Sequence, residues 1–497
     1  MKRTKIIATI GPASADKKIM AQMIRAGLNV ARLNFSHGEY DAHLRYIKNL
    51  RSVAKSIGAN IAIMQDLQGP RIRIGKLAPN GIRVVKNEKL VLYPESLPRP
   101  KIHTELIPVQ YAGLSRDLKK NARILIDDAT IELKINQIKD KLVYCHVVTP
   151  GIIRSHKGLN FPASCLSCPL ITRKDLADLE FGAKNNVDLV AMSFVKGPRE
   201  IVSLRKKIFA LEKKFGHKSL EKKFAKPLAK GKISGSHIRI IAKIERQEAV
   251  ANFDKILEAA DGIMVARGDL GIELPFEKLP LIQKTIIEKC RRAGKPVIVA
   301  TQMLDSMIRN PLPTRAEVSD VANAVLDSAD AIMLSGESAT GKYPLQAVQA
   351  MNRIALQMES REIAEAEESE DRYRNQKSVT QIISFIAHDL AEDVSGAKLI
   401  VCATTSGFTA RNISSFRPGL PIIAVTPSET TMRQLALSWG VTSHLLPFTE
   451  SFTTLLAHLK KLLLKHKLAK QGQTVVIAAG HPFGYKGQAN LIKVETV

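Results

Sequence analysis

Arg239-Ile240-Ile241-Ala242-Lys243-Ile244-Glu245 has the composition of a buried β-strand until its last three residues, where two opposite charges enter. Side chains two apart on a strand share a face, so Lys243 and Glu245 point the same way. Charges in a buried strand interior are costly unless paired, but at a strand end they can face a common mouth. Seven further β-rich runs have the same form, over 4–10, 30–36, 61–67, 188–194, 262–267, 296–302 and 331–337. Polar groups again sit at the downstream ends: Arg32, Asn34 and Ser36, then Asp66, Ser193, Arg267 and Asp269, Thr301 and Gln302, Ser335 and Glu337. Helical stretches such as 17–25, 44–56 and 281–292 lie between them. Eight such alternations predict a parallel (β/α)₈ TIM barrel with its site at the C-terminal mouth. A doubly wound open sheet would gather ligands at one strand-order reversal, and polar ends on nearly every run fit the barrel better.

Outward from the barrel runs, 71–156 reads differently. Its short pieces, 82–85, 89–92, 122–126, 130–135 and 142–148, are separated by turns and predict a small inserted β-barrel. An insert at the barrel mouth is placed to act as a lid. Beyond 357 come an acidic stretch, 359–371, expected to be an exposed linker or helix, and strands at 399–403, 422–425 and 474–478 of a smaller α/β unit. The division expected is a catalytic barrel over 1–70 and 157–357, a lid over 71–156, and a C-terminal domain over 358–497.

Length and composition bound the class. At ~150 residues per domain, 497 residues suggest about three domains. Apolar residues at 45% and charged residues at 24% are those of a globular protein. The apolar runs fall short of the ~18–20 residues of a membrane helix. The beginning imitates a secretory signal, but its apolar stretch is short and is broken by Gly11-Pro12, so a cytoplasmic protein is expected. Five cysteines argue against a disulfide framework. Cys165 and Cys168 lack the second pair that a structural zinc site needs. The net charge of +27 raises affinity for polyanions in general, partly through 211–233, with eight Lys against two Glu. No nucleic-acid motif accompanies it, and small phosphorylated substrates account for it equally well.

If their strand ends are neighbours, Glu245 and Asp269 offer hard oxygen ligands to one divalent ion, since Mg²⁺ takes one or two carboxylates and leaves other positions to water and substrate. Lys243 would add positive charge for a phosphoryl group or an enolate; a structural Lys–Glu ion pair explains the spacing as well. Arg267 and Asp269 are read as sharing a strand face, and Arg32, Asn34 and Ser36 likewise. Arg71 and Arg73 follow Gln68-Gly69-Pro70, and arginine forks at a barrel mouth suit anions. The 336–343 segment nearly spells a P-loop, but Tyr343 stands where a Ser or Thr is needed.

Eight segments in order resemble the pyruvate kinase family: Thr4–Pro12, Ala31–Gly38, Asp66–Pro70, Ile240–Glu245, Met264–Gly271, Ala300–Leu304, Pro313–Glu317 and Met333–Glu337. The resemblance implies phosphoryl transfer from phosphoenolpyruvate to ADP with Mg²⁺ or Mn²⁺, by a barrel, a lid and a C-terminal regulatory domain. It implies that Lys243 stabilises the phosphoryl group and enolate, that Glu245 and Asp269 hold the metal, and that Gly268, Asp269 and Thr301 bind the substrate carboxylate. Arg32 and Arg73 would contact phosphates, and Asn34, His37, Arg73 and Lys157 the nucleotide. Thr301, Ser335 and Glu337 lie where the enolate proton is relayed. Many members bind K⁺ near Asn34, Ser36, Asp66 and the residue at Leu67, and carry Glu where this chain has Arg71. The chain is similar to the K⁺-independent branch, so K⁺ is expected to be dispensable. Thr404, Thr405, Ser406, Gly407 and Thr409 are similar to an effector phosphate loop, in a turn that suits an anion or equally a helix N-cap by Ser or Thr before 410–414. A homotetramer and a phosphorylated effector are further implications. Two other readings stay open: a metal-dependent aldolase or lyase on a similar barrel, and a polyanion-binding protein.

Overall fold

The computed structural model describes residues 2–162, 167, 169–216, 237–362, 378–449, 451–480 and 489–497. Strands β1 (Lys5–Thr9), β2 (Leu28–Asn34) and β3 (Ala62–Asp66) open a barrel. An insert follows with β4 (Ile82–Val84), β5 (Lys89–Pro94), β6 (Glu105–Val109), β7 (Arg123–Ile126), β8 (Ile131–Lys139), β9 (Leu142–Thr149), β10 (Gly151–Ile153) and β11 (Leu159–Asn160). The barrel resumes with β12 (Leu189–Met192), β13 (Arg239–Ile244), β14 (Gly262–Ala266), β15 (Val297–Ala300) and β16 (Ala331–Leu334). All eight barrel strands pair in parallel and close in the order β1-β16-β15-β14-β13-β12-β3-β2.

The alternation of the strands explains the closure. Ile6, Ala8, Leu33, Ile63, Val190, Ile240 and Val299 pack outward against the helices, while Ile7, Val30, Met64, Ile241, Met264, Ile298 and Met333 fill the interior. Apolar burial on both faces stabilises by roughly 25 cal/mol per Å² and leaves the strand ends as the place for polar groups. The expected runs overshoot the strands by one to three residues, because those polar ends are loops or helix starts. The clearest correction is at Arg267. The strand stops at Ala266 and a helix, Arg267–Glu273, starts at once, so Arg267 and Asp269 share no strand face.

In the insert, β11-β7-β8-β9-β5-β6 form one sheet and β10-β4 another, around a core including Ile74, Leu92, Ile107, Leu133 and Phe161. The α/β unit at the other end adds β17 (Ala397–Ala403), β18 (Ile422–Thr426), β19 (Val441–Leu445), β20 (Thr474–Ala479) and β21 (Leu491–Thr496), in the order β19-β18-β17-β20-β21. It meets the N-terminal end of the barrel, where its Ala436 and Leu437 join the interior cluster.

Two smaller expectations change. Glu359 is not exposed: it lies in the helix Pro344–Glu362, is buried, and accepts the backbone N–H groups of Arg3 and Thr4 at 2.7 and 2.6 Å. The helix after the 404–407 turn is Phe408–Ser415, capped by Gly407 at φ +76°, so no Ser or Thr is its N-cap and Thr409 lies inside it. Cys165, Cys168, 217–233 of the Lys-rich stretch and 363–371 of the acidic stretch lie outside the described residues. Among the described residues no helix is long and apolar enough to cross a membrane.

Candidate active site

The order β3-β12-β13-β14-β15 places five consecutive strand ends side by side. Lys243, at the end of β13, is the hub. Its Nζ lies 2.7 Å from Glu245 Oε1 and 3.4 Å from Asp66 Oδ1 on β3, and donates to Ser193 Oγ after β12 at 2.9 Å. The Ser193 hydroxyl donates to the carbonyl of Leu67 at 2.6 Å. Burial opposes the ammonium, but Asp66 and Glu245 outweigh it and raise its pKa above the usual lysine value. Burial likewise opposes ionisation of Asp66, yet Lys243 and Arg32 hold its carboxyl below the usual range.

Arg32, on β2, is fixed from two sides. Its Nε lies 2.7 Å from Asp66 Oδ2 and its Nη1 donates to Thr9 Oγ1 at 2.9 Å. A fork held by two partners loses little further freedom when it meets an anion.

Glu245 follows β13. Its second oxygen accepts the Phe194 N–H at 2.6 Å. Burial and the charge of Asp269 push its carboxyl above the usual range despite Lys243. Two carboxylates that repel one another beside an open mouth fit a divalent cation, and two are enough for Mg²⁺. Asp269 stands in the first turn of Arg267–Glu273.

Beside it, the Gly268 N–H donates to Thr301 Oγ1 at 2.7 Å, and that hydroxyl donates to the Ala300 carbonyl at 2.6 Å. Thr301 and Gln302 are left-handed, with φ of +69° and +54°. A β-branched residue there stores strain of about 1–3 kcal/mol. Glu337 is buried, and both its oxygens serve backbone: Oε1 accepts from Leu304 N–H at 3.1 Å and Oε2 from Ser335 N–H at 2.7 Å. It thereby ties the loop after β15 to the loop after β16.

The nucleotide candidates lie at the edge towards the insert. His37 is largely exposed, and the partial desolvation of its ring together with the charges of Arg71, Arg73 and Arg32 pushes its imidazole below the usual range. Arg73 Nη1 donates to the His156 carbonyl at 2.8 Å, and Lys157 Nζ pairs with Asp127 at 2.9 Å. Asn34 Oδ1 accepts the Ser36 N–H at 3.1 Å. The 404–407 turn, with Thr409 in the helix that follows, is remote from all of these, at the barrel's other end, where Arg239 and Arg411 both donate to the Ser406 carbonyl at 3.2 and 3.3 Å.

Sequence reasoning left Thr9, Ser193 and Phe194 without roles. Thr9 and Ser193 carried a signal, since each ends a barrel run as the assigned residues do. Phe194 acts through its backbone, at φ +56°, and had none.

Two family models match the chain: pyruvate kinase, barrel domain, over residues 1–219 and 228–348, and pyruvate kinase, alpha/beta domain, over 381–495. The chain is 42% identical to a pyruvate kinase of Geobacillus stearothermophilus over all of this chain and 80% of that one. It is 40% identical to one of Clostridium acetobutylicum over the whole of both. A crystal structure of a pyruvate kinase from Cryptosporidium parvum superposes with a TM-score of 0.87 at 35% identity, covering 100% of this chain and 96% of that one.

Proposed function

The chain belongs to the pyruvate kinase family, and from that premise we propose how its barrel mouth moves a phosphoryl group from phosphoenolpyruvate to ADP. The observation that carries the assignment of roles is the Lys243 ammonium, gathered with Asp66, Ser193 and Glu245 on neighbouring strand ends. Phosphoryl transfer is mostly positioning and charge neutralisation. The bond from phosphorus to the enol oxygen breaks, a bond to a terminal oxygen of ADP forms, and Lys243 neutralises first the migrating group and then the enolate. Glu245 and Asp269 would hold Mg²⁺ or Mn²⁺, which supplies further positive charge to the substrate oxygens when bound. Arg32 and Arg73 take phosphate oxygens. The backbone at Gly268 and Asp269, with Thr301, takes the carboxylate. Asn34, His37, Arg73 and Lys157 receive the nucleotide. Thr301 and Ser335 relay a proton from solvent water to the enolate carbon, each hydroxyl taking one proton as it gives one up, and Glu337 holds their two loops in place.

Arg71 would supply the fixed charge that a monovalent ion brings near Asn34, Ser36, Asp66 and Leu67. Its influence on His37 and Arg73 supports this placement. Activity should be the same in tetramethylammonium buffer free of Na⁺ and K⁺, and a collapse of kcat there would remove the idea. The 404–407 turn with Thr409 of the following helix is the proposed seat of a phosphorylated effector. Titrating sugar phosphates and nucleotides while following phosphoenolpyruvate saturation tests it, with no shift for any as the negative result. A homotetramer in the cytoplasm completes the proposal, and exposed Phe276, Leu281 and Leu312 offer apolar surface for self-association.

A coupled assay of pyruvate release tests the central assignment. Lys243→Met should lower kcat by about 10²–10³-fold, the scale of losing one preorganised charge or donor. A variant within tenfold of the parent enzyme would show that the ammonium is not the hub.

A further inference from the structure

We propose that Asp320, through Arg267, is a positioning residue that sets the left-handed turn at Thr301. The inference rests on the assignment of Thr301, Gly268 and Asp269 to the substrate and metal. Arg267 opens the helix after β14, and its guanidinium lies against the loop after β15. Nη1 and Nη2 form a fork on the two Asp320 oxygens at 2.6 and 2.7 Å. Nη2 also donates to the Thr301 carbonyl at 2.8 Å and touches Met303 Sδ at 2.8 Å.

The direction of that carbonyl is the point. A left-handed residue turns its C=O the opposite way from a right-handed one, and a β-branched side chain prefers the right-handed form. At φ +69° the Thr301 carbonyl faces Arg267 while its hydroxyl accepts the Gly268 N–H at 2.7 Å. Relaxation of the turn would break both contacts and move the hydroxyl away from Gly268 and Asp269. Arg267 can hold the carbonyl only while its side-chain torsions are fixed, and the two-point Asp320 pair fixes them. Asp320 sits on the helix Arg315–Leu326, with its side chain 35% exposed, whereas that of Arg267 is 10% exposed. Its hydrogen bonds and ion pair are with Arg267 and not with Lys243, Glu245, Asp269 or Thr301, so an effect of Asp320 on turnover has to travel through Arg267.

The test uses the purified full-length chain with saturating Mg²⁺, following pyruvate formation. Asp320→Ala should raise the KM for phosphoenolpyruvate at least fivefold and lower kcat about tenfold, with the KM for ADP within twofold of the parent. Asp320→Asn keeps one acceptor for the fork and should recover at least half of the lost kcat. In a Thr301→Ala background, Asp320→Ala should change kcat by less than twofold, because the turn it positions no longer carries the hydroxyl. Equal activity of Asp320→Ala and parent would overturn the proposal. So would multiplicative losses in the double variant, or equal rises in both KM values, which mark a general loss of structure. Failure of the underlying assignment looks different: Thr301→Ala alone would then turn over like the parent.

Discussion

Glu337 shows how one residue type can be read for two jobs. A carboxylate at a strand end invites a role in proton relay, but this one is buried, with both oxygens on backbone N–H groups of two loops. Burial raises its pKa above the usual carboxylate value. Glu337→Gln would turn an amide NH₂ towards one of those N–H groups and leave a donor unsatisfied, a loss of about 1–3 kcal/mol. The expected outcome is a lower Tm in metal-free thermal unfolding together with a lower kcat; an unchanged Tm with kcat alone reduced would return Glu337 to direct chemistry. Gly69 makes a second case. Its φ is +67° and a Cβ would come within 2.9 Å of the Phe194 ring and 3.1 Å of Ser193 Cβ. Phe194 and Ser193 are the partners of Glu245 and Lys243. Gly69→Ala should therefore cost about 1–3 kcal/mol from strain and also reduce kcat, measured by denaturant melts beside the coupled assay. Lys243 and Glu245 were legible because strand periodicity alone aligns them. The roles of Phe194 and Asp320 were not, since a backbone N–H leaves no trace in residue type and the Asp320 contact crosses 53 positions.

At the level of elements, the eight barrel strands were legible because apolar runs with polar ends are the same signal repeated. β6 was missed: Glu105 and Pro108 interrupt its apolar pattern, and it is recognised only by its parallel pairing with β5. β19, as Val-Thr-Ser-His-Leu, and β21 are half-exposed edge strands whose mixed composition resembles a loop. The strand-to-helix change at Arg267 was also hidden, because polar residues two apart suit either element. Asp261 joins elements that the sequence could not connect. It precedes β14, pairs with Arg205 of the helix Pro198–Lys214 and with Arg239 of β13, and accepts the Ile240 N–H. Burial opposes its charge, but the two arginines prevail and lower its pKa from the ordinary 3.8 to about 2. A depressed carboxyl stabilises the fold above its unfolded pKa and loses that stability as pH falls through the folded value. Asp261 should thus contribute about 2 kcal/mol above pH ~4, disappearing between roughly pH 4 and 2. Asp261→Asn should flatten the acid limb of stability against pH in that window; an identical acid limb in the variant would show that the ion pairs are not the cause.

Across the whole molecule, the two ends of the barrel do different work, and the lower end joins the domains. Leu437 and Ala436, from the C-terminal unit, fill the interior that Ile7, Val30, Met64, Ile241 and Met333 line. Lys5 Nζ, on β1, donates to the Val441 carbonyl at 2.8 Å. Trp439 lies between the guanidinium groups of Arg3 and Arg417 at 5.3 and 4.9 Å, and its backbone N–H donates to Asp330 Oδ1 at 3.2 Å. The barrel's apolar interior is therefore closed by two residues of another domain, so barrel stability and domain docking share one free energy. Leu437→Ala removes a buried side chain that is 1% exposed and should cost about 2–5 kcal/mol. Because the catalytic groups lie at the opposite strand ends, kcat at low temperature should stay within about twofold of the parent while Tm falls. Calorimetry decides how the two units are coupled. A single transition at lower temperature is the outcome expected from a shared core, whereas a barrel transition unmoved while a second, earlier one appears would mean that the domains unfold independently and that the plug lends the barrel nothing.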